Sequence, residues 1–315
     1  MKELFLGEYI RQERLKQGVT QEQLCEGICE PITVSRMENG KQTPSYNRIR
    51  AFLQRLSLPD DRYFAVLSEN ELEIKGLQDE IRADAVRFSQ AVPENQPDIQ
   101  AAGLQKLEKL ERLAEPDDRI IRQFILTMKI TFGKPDGSYS SEEALEGLLE
   151  ALHITVPNCN PETFNLGLSS LDETSLICQI AYIYAEMGQT DKALNIYRQL
   201  LKYVQSPKCE TSRYAEKFAL IALSYTRSLL LTGKYDDALE IAKFGQEVCV
   251  KYSHYQFLPE LLALLGKCYF YNDELENCKE FYRAAYCLYK ETGNDYGRLL
   301  IENEVKEKLN LKYPF

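Results

Sequence analysis

Residues 4–56, LFLGEYIRQERLKQGVTQEQLCEGICEPITVSRMENGKQTPSYNRIRAFLQRL, decide the fold of the first part of the chain. Leu6, Ile10, Leu15 and Val19, then Leu24 and Ile28, then Val34 and Met37, then Ile49, Phe52, Leu53 and Leu56 recur at helical spacing, with polar breaks between the groups. That periodicity predicts four or five short helices around one small core. Gly18 falls where a first helix must end in a left-handed residue; Thr20 starts the next as an N-cap, and Gln23 completes a capping box. Gly27 ends this second helix after barely two turns, and Pro31 suits the first turn of a third, where its missing N–H would have no partner anyway. Two short helices separated by about three or four residues fit a helix-turn-helix.

The stretch resembles the Xre or phage-repressor type of helix-turn-helix domain. The resemblance rests on Leu6-Gly7 with Ile10 and Arg14, on Thr20-Gln21 with Leu24, on Val34-Ser35-Arg36-Met37-Glu38-Asn39-Gly40-Lys41, and on Pro44-Ser45. It implies that Arg14 pairs with Glu38, tying the first helix to the end of the third; such a pair holds the fold and does not read DNA. A recognition helix presents its N-terminal residues to the major groove, so Pro31, Ile32, Thr33 and Arg36 are the base-reading candidates, with Ser35 at the margin. Arg36 suits guanine, Ile32 a thymine methyl, and the Thr33 hydroxyl either role. Gln21 resembles the family's backbone-contacting glutamine at a helix start, and Lys41 and Arg48 are candidate phosphate contacts. Glu30 and Pro31 depart from the more polar residues common in the family.

Charge divides the chain in the same place. Residues 1–66 hold ten Lys/Arg against nine Asp/Glu, leaving 28 against 39 in the remainder of a chain whose net charge is −10. A head so weakly positive binds DNA tightly only if a second copy doubles its phosphate contacts, so a homodimer is expected. Nine cysteines, an odd number at irregular spacing, fit a reducing cytoplasm and not a disulfide framework. Cys25 and Cys29 lie four apart with no histidine or second cysteine pair beside them; core packing is expected there, and no metal or other cofactor. No run of 18 apolar residues occurs, so no membrane span is expected.

After Asp60-Asp61 the text stays helical, with Gly and Pro between amphipathic segments and no sustained alternation; the expected fold class is all-α. Residues 70–92 form one segment, closed by Pro93 and Pro97, and 98–114 its partner. A further pair covers 118–153, with Gly133, Pro135 and Gly137 in its turn, and Tyr296–Leu311 reads as a closing helix. Internal repetition appears when Ala193, Ala238 and Cys278 are aligned. Gly188, Gly233 and Asp273 then stand at minus five, and Ala181, Thr226 and Gly266 at minus twelve. Tyr184, Leu229 and Tyr269 stand at minus nine, and Tyr197, Ala242 and Tyr282 at plus four. Small residues let paired helices approach and large ones fill the gap. This resembles the tetratricopeptide repeat (TPR), with anchors 45 and 40 residues apart in place of 34. The expected organisation is a DNA-binding domain over 1–66, a linker helix over 67–96 and a right-handed TPR-like α-solenoid over 97–315 that senses a ligand and dimerises.

The first helix of each repeat lines the inner face of such a solenoid. In this register it offers Cys178, Tyr182 and Ala185, then Leu223, Arg227 and Leu230, then Ala263, Lys267 and Phe270, a mixed surface with two cationic points. It suits an extended peptide bearing a carboxylate, unless Arg227 and Lys267 bond acids such as Glu260. The whole chain is similar to the peptide-responsive quorum-sensing regulators of Gram-positive bacteria, in particular the PlcR-like branch. The resemblance rests on LCEGICEPITVSRMENG, on IAYIYAEMGQTDKAL and on the region from RSLLLTGKYDDAL to the end. It implies a cytoplasmic, homodimeric transcription regulator that binds operator DNA and a short peptide. Where members hold peptide backbones with asparagines, this chain has Cys178 and Ser224, with Gln179 the nearest amide. The alternatives are repeats that dock a protein partner or serve only dimerisation. His153 and His254 sit in unrelated segments and no GxSxG, HExxH, P-loop or dinucleotide fingerprint occurs, so no enzyme and no catalytic residue is expected.

Overall fold

Helix α1 (Leu6–Lys16) stops because Gly18 takes the left-handed conformation, φ 67°, and sends the chain into α2 (Gln21–Cys25). Thr20 caps α2: its hydroxyl accepts from the Gln23 N–H while the Gln23 side chain accepts from the Thr20 N–H, the capping box the sequence spells. Gly27, φ 70°, turns the chain again, and Pro31 opens α3 (Pro31–Glu38), followed by α4 (Tyr46–Arg55). The expected apolar residues close over one core, with Ile10, Leu24, Val34 and Phe52 fully buried. Leu15 is the exception: it is 58% exposed, on the solvent side of α1, because Arg14 takes the inward position beside it.

This computed structural model describes residues 5–58, 68–91, 93–134, 137–159, 169–204 and 211–310. The expected domain boundary between 66 and 67, the Asp60-Asp61 break, Pro135 and Leu311 lie outside them. Among the described residues all regular structure is helical, and no helix is long and apolar enough to cross a membrane. The chain divides into two compact units. The first draws on Met1–Ala85, Ala101–Ile177 and Gln205–Arg213, the second on Val86–Gln100, Cys178–Val204 and Tyr214–Phe315.

In the first unit the head is joined by helical pairs. α5 (Glu69–Gln90) is followed by α6 (Gln96–Leu113), whose Lys106 bridges Glu80 and Asp84 and whose Lys109 meets Glu73. Pro97 therefore opens α6 near its first turn and does not close α5. α7 (Arg119–Gly133) and α8 (Ser141–Thr155) form the pair expected over 118–153. Asp118 caps the first and a Ser140/Glu143 capping box the second.

The repeats are α9 (Leu171–Glu186) with α10 (Thr190–Val204), α11 (Thr211–Leu231) with α12 (Tyr235–Tyr252), α13 (Leu258–Tyr271) with α14 (Leu275–Glu291), and the closing α15 (Asp295–Leu309); all but the first residues of α9 and α11 belong to the second unit. Gly188, Gly233 and Asp273 all have positive φ, 75°, 73° and 60°, and each turns a first helix into its second. Ala193, Ala238 and Cys278 are fully buried, as are Ala181 and Thr226. At Gly266 a Cβ would lie 2.7 Å from the Tyr282 ring, so the glycine is the close approach that the large plus-four residue requires. The wide repeat spacing is partly helix length, since α11 has 21 residues and α12 18. All-α, with an N-terminal helix-turn-helix and TPR-like pairs behind it, is the observed fold class.

Candidate nucleic-acid interface and ligand cleft

At the centre of the head Arg14 Nε and Nη2 donate to the two carboxylate oxygens of Glu38 at 2.6 and 2.9 Å, and Nη1 reaches the Val19 carbonyl at 2.8 Å. Both side chains are buried, so the pair fixes the end of α3 against α1. The Gln21 amide donates to the same carboxylate at 2.7 Å and so is tied into this network.

From that anchored end α3 projects outward. Ile32 is 55% exposed and Arg36, one turn on, is also exposed; they share one edge of the helix. Pro31, Thr33 and Ser35 are half-buried beside it, and Lys41 is exposed just beyond. Arg48 lies half-buried on α4 and its guanidinium meets the Asp117 carboxylate at 3.3 Å. The candidates thus fall into an open edge, Ile32, Arg36 and Lys41, and two side chains already engaged, Gln21 and Arg48.

Behind the head lies a contact that sequence reading missed. Arg55, on the last turn of α4, is 2% exposed. Its Nη1 donates to the Leu24 and Glu26 carbonyls at the end of α2, and its Nη2 to the Thr155 carbonyl and to Glu173 Oε1 at 2.7 Å. Glu173 also accepts from the Thr155 hydroxyl, and with Ser170 it forms the capping box of α9. Burial alone would raise the Glu173 carboxyl, but the Arg55 charge and these hydrogen bonds outweigh it and hold the pKa below the ordinary range. Gly27 completes the seam: any Cβ there would collide with the Thr155 carbonyl.

Within the second unit a cleft of about 950 Å³ opens between α11, α13, α14 and α15. Of the residues expected on the inner face, Tyr182, Arg227, Leu230 and Lys267 line it. Cys178 and Leu223 do not; they are buried in helix packing, where burial pushes the Cys178 thiol up to about 12, against a weaker pull from Ser224. Gln179 and half-buried Ser224 are not among the lining residues either. Phe270 turns toward the closing helix, where the Lys308 ammonium sits 5.3 Å from its ring. The open stripe of α13 is Glu260, Leu264, Lys267 and Tyr271, turned by one residue from the expected 263/267/270, because Ala263 and Phe270 pack into the terminal core. Arg227 is paired with Glu260, and Lys267 with Glu304 at 2.9 Å. The wall also carries five tyrosines, with Tyr235 and Tyr271 stacked at 4.3 Å and Tyr255, Tyr289 and Tyr296 lining the cleft beside leucines such as Leu231 and Leu300 and the polar Gln256 and Asn294. Tyr271 ends a first helix, but Tyr235, Tyr255, Tyr289 and Tyr296 lie at helix starts, in a short turn or on a second helix, positions that a first-helix register does not reach.

A helix-turn-helix head with an open edge on α3, followed by TPR-like pairs enclosing a cleft, defines the class of protein: an all-α helix-turn-helix protein with TPR-like repeats. Residues 6–63 match the family described as "Helix-turn-helix domain". Comparison with curated protein sequences finds no match. Among solved structures, Bacillus thuringiensis PlcR in complex with the peptide PapR7 and DNA superposes with a TM-score of 0.61 at 19% identity, over 95% of this chain and 99% of that one. PlcR in its apo form gives 0.57 at 19% identity, over 95% and 98%. Apo ComR from S. thermophilus gives 0.50 at 17% identity, over 95% and 97%. The chain therefore shares the fold of PlcR along nearly its whole length, and the resemblance read from its motifs holds at the level of fold.

Proposed function

We propose that this chain is a homodimeric, sequence-specific DNA-binding transcription regulator whose TPR-like part binds a short signalling peptide. The observation that carries the reading is the open edge of α3, where Ile32 and Arg36 project one turn apart from a helix anchored by the buried Arg14–Glu38 pair. An apolar methyl contact and a bidentate guanidinium are what major-groove readout uses. Arg36, Ile32 and Thr33 are assigned to bases, with Pro31 and Ser35 flanking them; Lys41 serves phosphate, and Gln21 and Arg48 join it once DNA competes with Glu38 and Asp117. The fold likeness to a PlcR structure holding both DNA and a peptide supports joining the two functions in one chain.

The cleft refines the ligand. Both of its candidate cations already face carboxylates, so a peptide carboxylate has to displace Glu260 or Glu304, and most of the available affinity comes from the tyrosine wall. A largely apolar or aromatic peptide fits best.

The test uses the full chain at low ionic strength. It is offered fragments of its own genome, and retained duplexes are sequenced; a recurrent two-half-site sequence is expected, and failure to retain any duplex overturns the reading. A melting scan against short synthetic peptides tests the second function. Stabilisation only by a folded protein partner would move the assignment of the repeats to protein docking.

A further inference from the structure

We propose that Cys25 and Cys29 form a peroxide-responsive thiol pair in the turn of the helix-turn-helix, closing to an intramolecular disulfide that displaces the start of α3. Cys25 is the last residue of α2 and is buried; Cys29, half-buried, packs on the same core one turn later. The Cys29 N–H donates to the Cys25 carbonyl at 3.1 Å, the Cys25 thiol donates to the Glu22 carbonyl at 3.5 Å, and the two thiols stand near enough for each to shift the other's pKa.

The two thiols are unequal, as a reacting pair needs. The Cys25 thiol beside it lowers the Cys29 pKa; burial opposes this, and the Arg48 charge and the Thr33 hydroxyl add to it. Cys25 is shifted upward by that same contact and by burial, so it stays a thiol. The more accessible Cys29 is therefore assigned the attack on the oxidant and buried Cys25 the resolving role. With a hydroperoxide as oxidant, Cys29 sulfur bonds one peroxide oxygen, the O–O bond breaks, and hydroxide leaves and is protonated to water. The Cys25 sulfur then attacks the Cys29 sulfenic acid; the S–S bond forms, the S–O bond breaks, and the hydroxyl departs as water with the Cys25 proton. Two thiols and hydrogen peroxide give one disulfide and two waters.

Closure has a mechanical consequence. A disulfide requires Cβ atoms about 3.5–4.5 Å apart. Cys25 ends α2 and Cys29 lies beyond the left-handed Gly27, with Glu30 and Pro31, which open α3, following it directly, so any movement that closure imposes on Cys29 falls on the start of α3. The effect on DNA rests on the proposed function; the covalent chemistry does not.

The full-length protein is treated with hydrogen peroxide, alkylated and mapped by mass spectrometry. A crosslink between Cys25 and Cys29 is expected, with two fewer titratable thiols and reversal by dithiothreitol. Cys25→Ser is expected to stop at a dimedone-reactive sulfenic acid on Cys29, and Cys29→Ser to give neither product. Retention of both thiols in the wild-type protein at peroxide levels that oxidise exposed Cys287 would overturn the proposal. In duplex retention, oxidised wild type is expected to bind about tenfold more weakly, the loss of one base contact, with Cys29→Ser indifferent to peroxide; equal binding by the crosslinked form overturns the displacement of α3 alone.

Discussion

Arg55 and Glu173, 118 residues apart in sequence, meet at 2.7 Å with both side chains almost wholly removed from water. Breaking one partner of such a pair leaves a buried charge and costs about 3–5 kcal/mol. Arg55→Ala and Glu173→Ala are each expected to lower the melting temperature sharply, and the double variant by less than the two losses combined. Acid should act on the same pair. The folded-state pKa of Glu173 is lowered, so its contribution is complete above the unfolded value of about 4.3 and is lost as pH falls through the lower folded value. In Glu173→Gln the acid limb of the stability profile is expected to flatten; an unchanged limb would count against this assignment.

On the proposed function, Arg14 holds α3 in place and Arg36 reads DNA. Arg14→Ala strands Glu38 and is expected to cost about 3–5 kcal/mol. Arg36→Ala is expected to leave the melting temperature within about 0.5 kcal/mol while abolishing preference among duplexes. Normal duplex selection by the Arg36→Ala protein would sink the assignment of α3.

Glycine substitutions test the repeat packing. Gly266→Ala gains roughly 0.5–1 kcal/mol in helix propensity but places a methyl 2.7 Å from the Tyr282 ring. Overpacking of that kind costs about 1–3 kcal/mol, so net destabilisation is expected. At Gly76, inside α5, nothing lies within 4 Å of the added methyl, and Gly76→Ala is expected to stabilise. Denaturant midpoints decide both.

Glu260→Gln removes the partner of Arg227 in the cleft. The pair is part-exposed, so the stability change should stay below about 1 kcal/mol. Peptides ending in a free carboxylate are expected to bind more tightly than to wild type, and their C-terminal amides to show no gain. Equal gains for acid and amide would remove Arg227 from ligand recognition.

Much of this architecture is written in local chemistry. Gly18, Thr20, Gln23 and Pro31 each act over one turn of chain, and the repeat anchors act through size alone, so both were legible from spacing. Arg55 was not, although it stands three residues from Phe52 on an apolar helix face, because its partner lies far along the chain. The Ser170–Glu173 capping box was a readable signal whose second role was not. The cleft was half legible: Tyr182, Arg227, Leu230 and Lys267 line it, but Tyr235, Tyr255, Tyr289 and Tyr296 come from turns, second helices and the closing helix. The one-residue rotation of α13 depends on how Ala263 and Phe270 meet the closing helix, which no period encodes.

The cluster of carbonyls around Arg55 also bears on how the protein can be dissected. A fragment ending at residue 66 would keep the Leu24 and Glu26 carbonyls but lose Thr155 and Glu173, leaving a guanidinium without its counterion at the base of the head. Excision from the other side would strand the Glu173 carboxylate. The reading head is better regarded as the outer half of a body that runs through Glu173, and any shorter piece is expected to dissolve poorly and melt early.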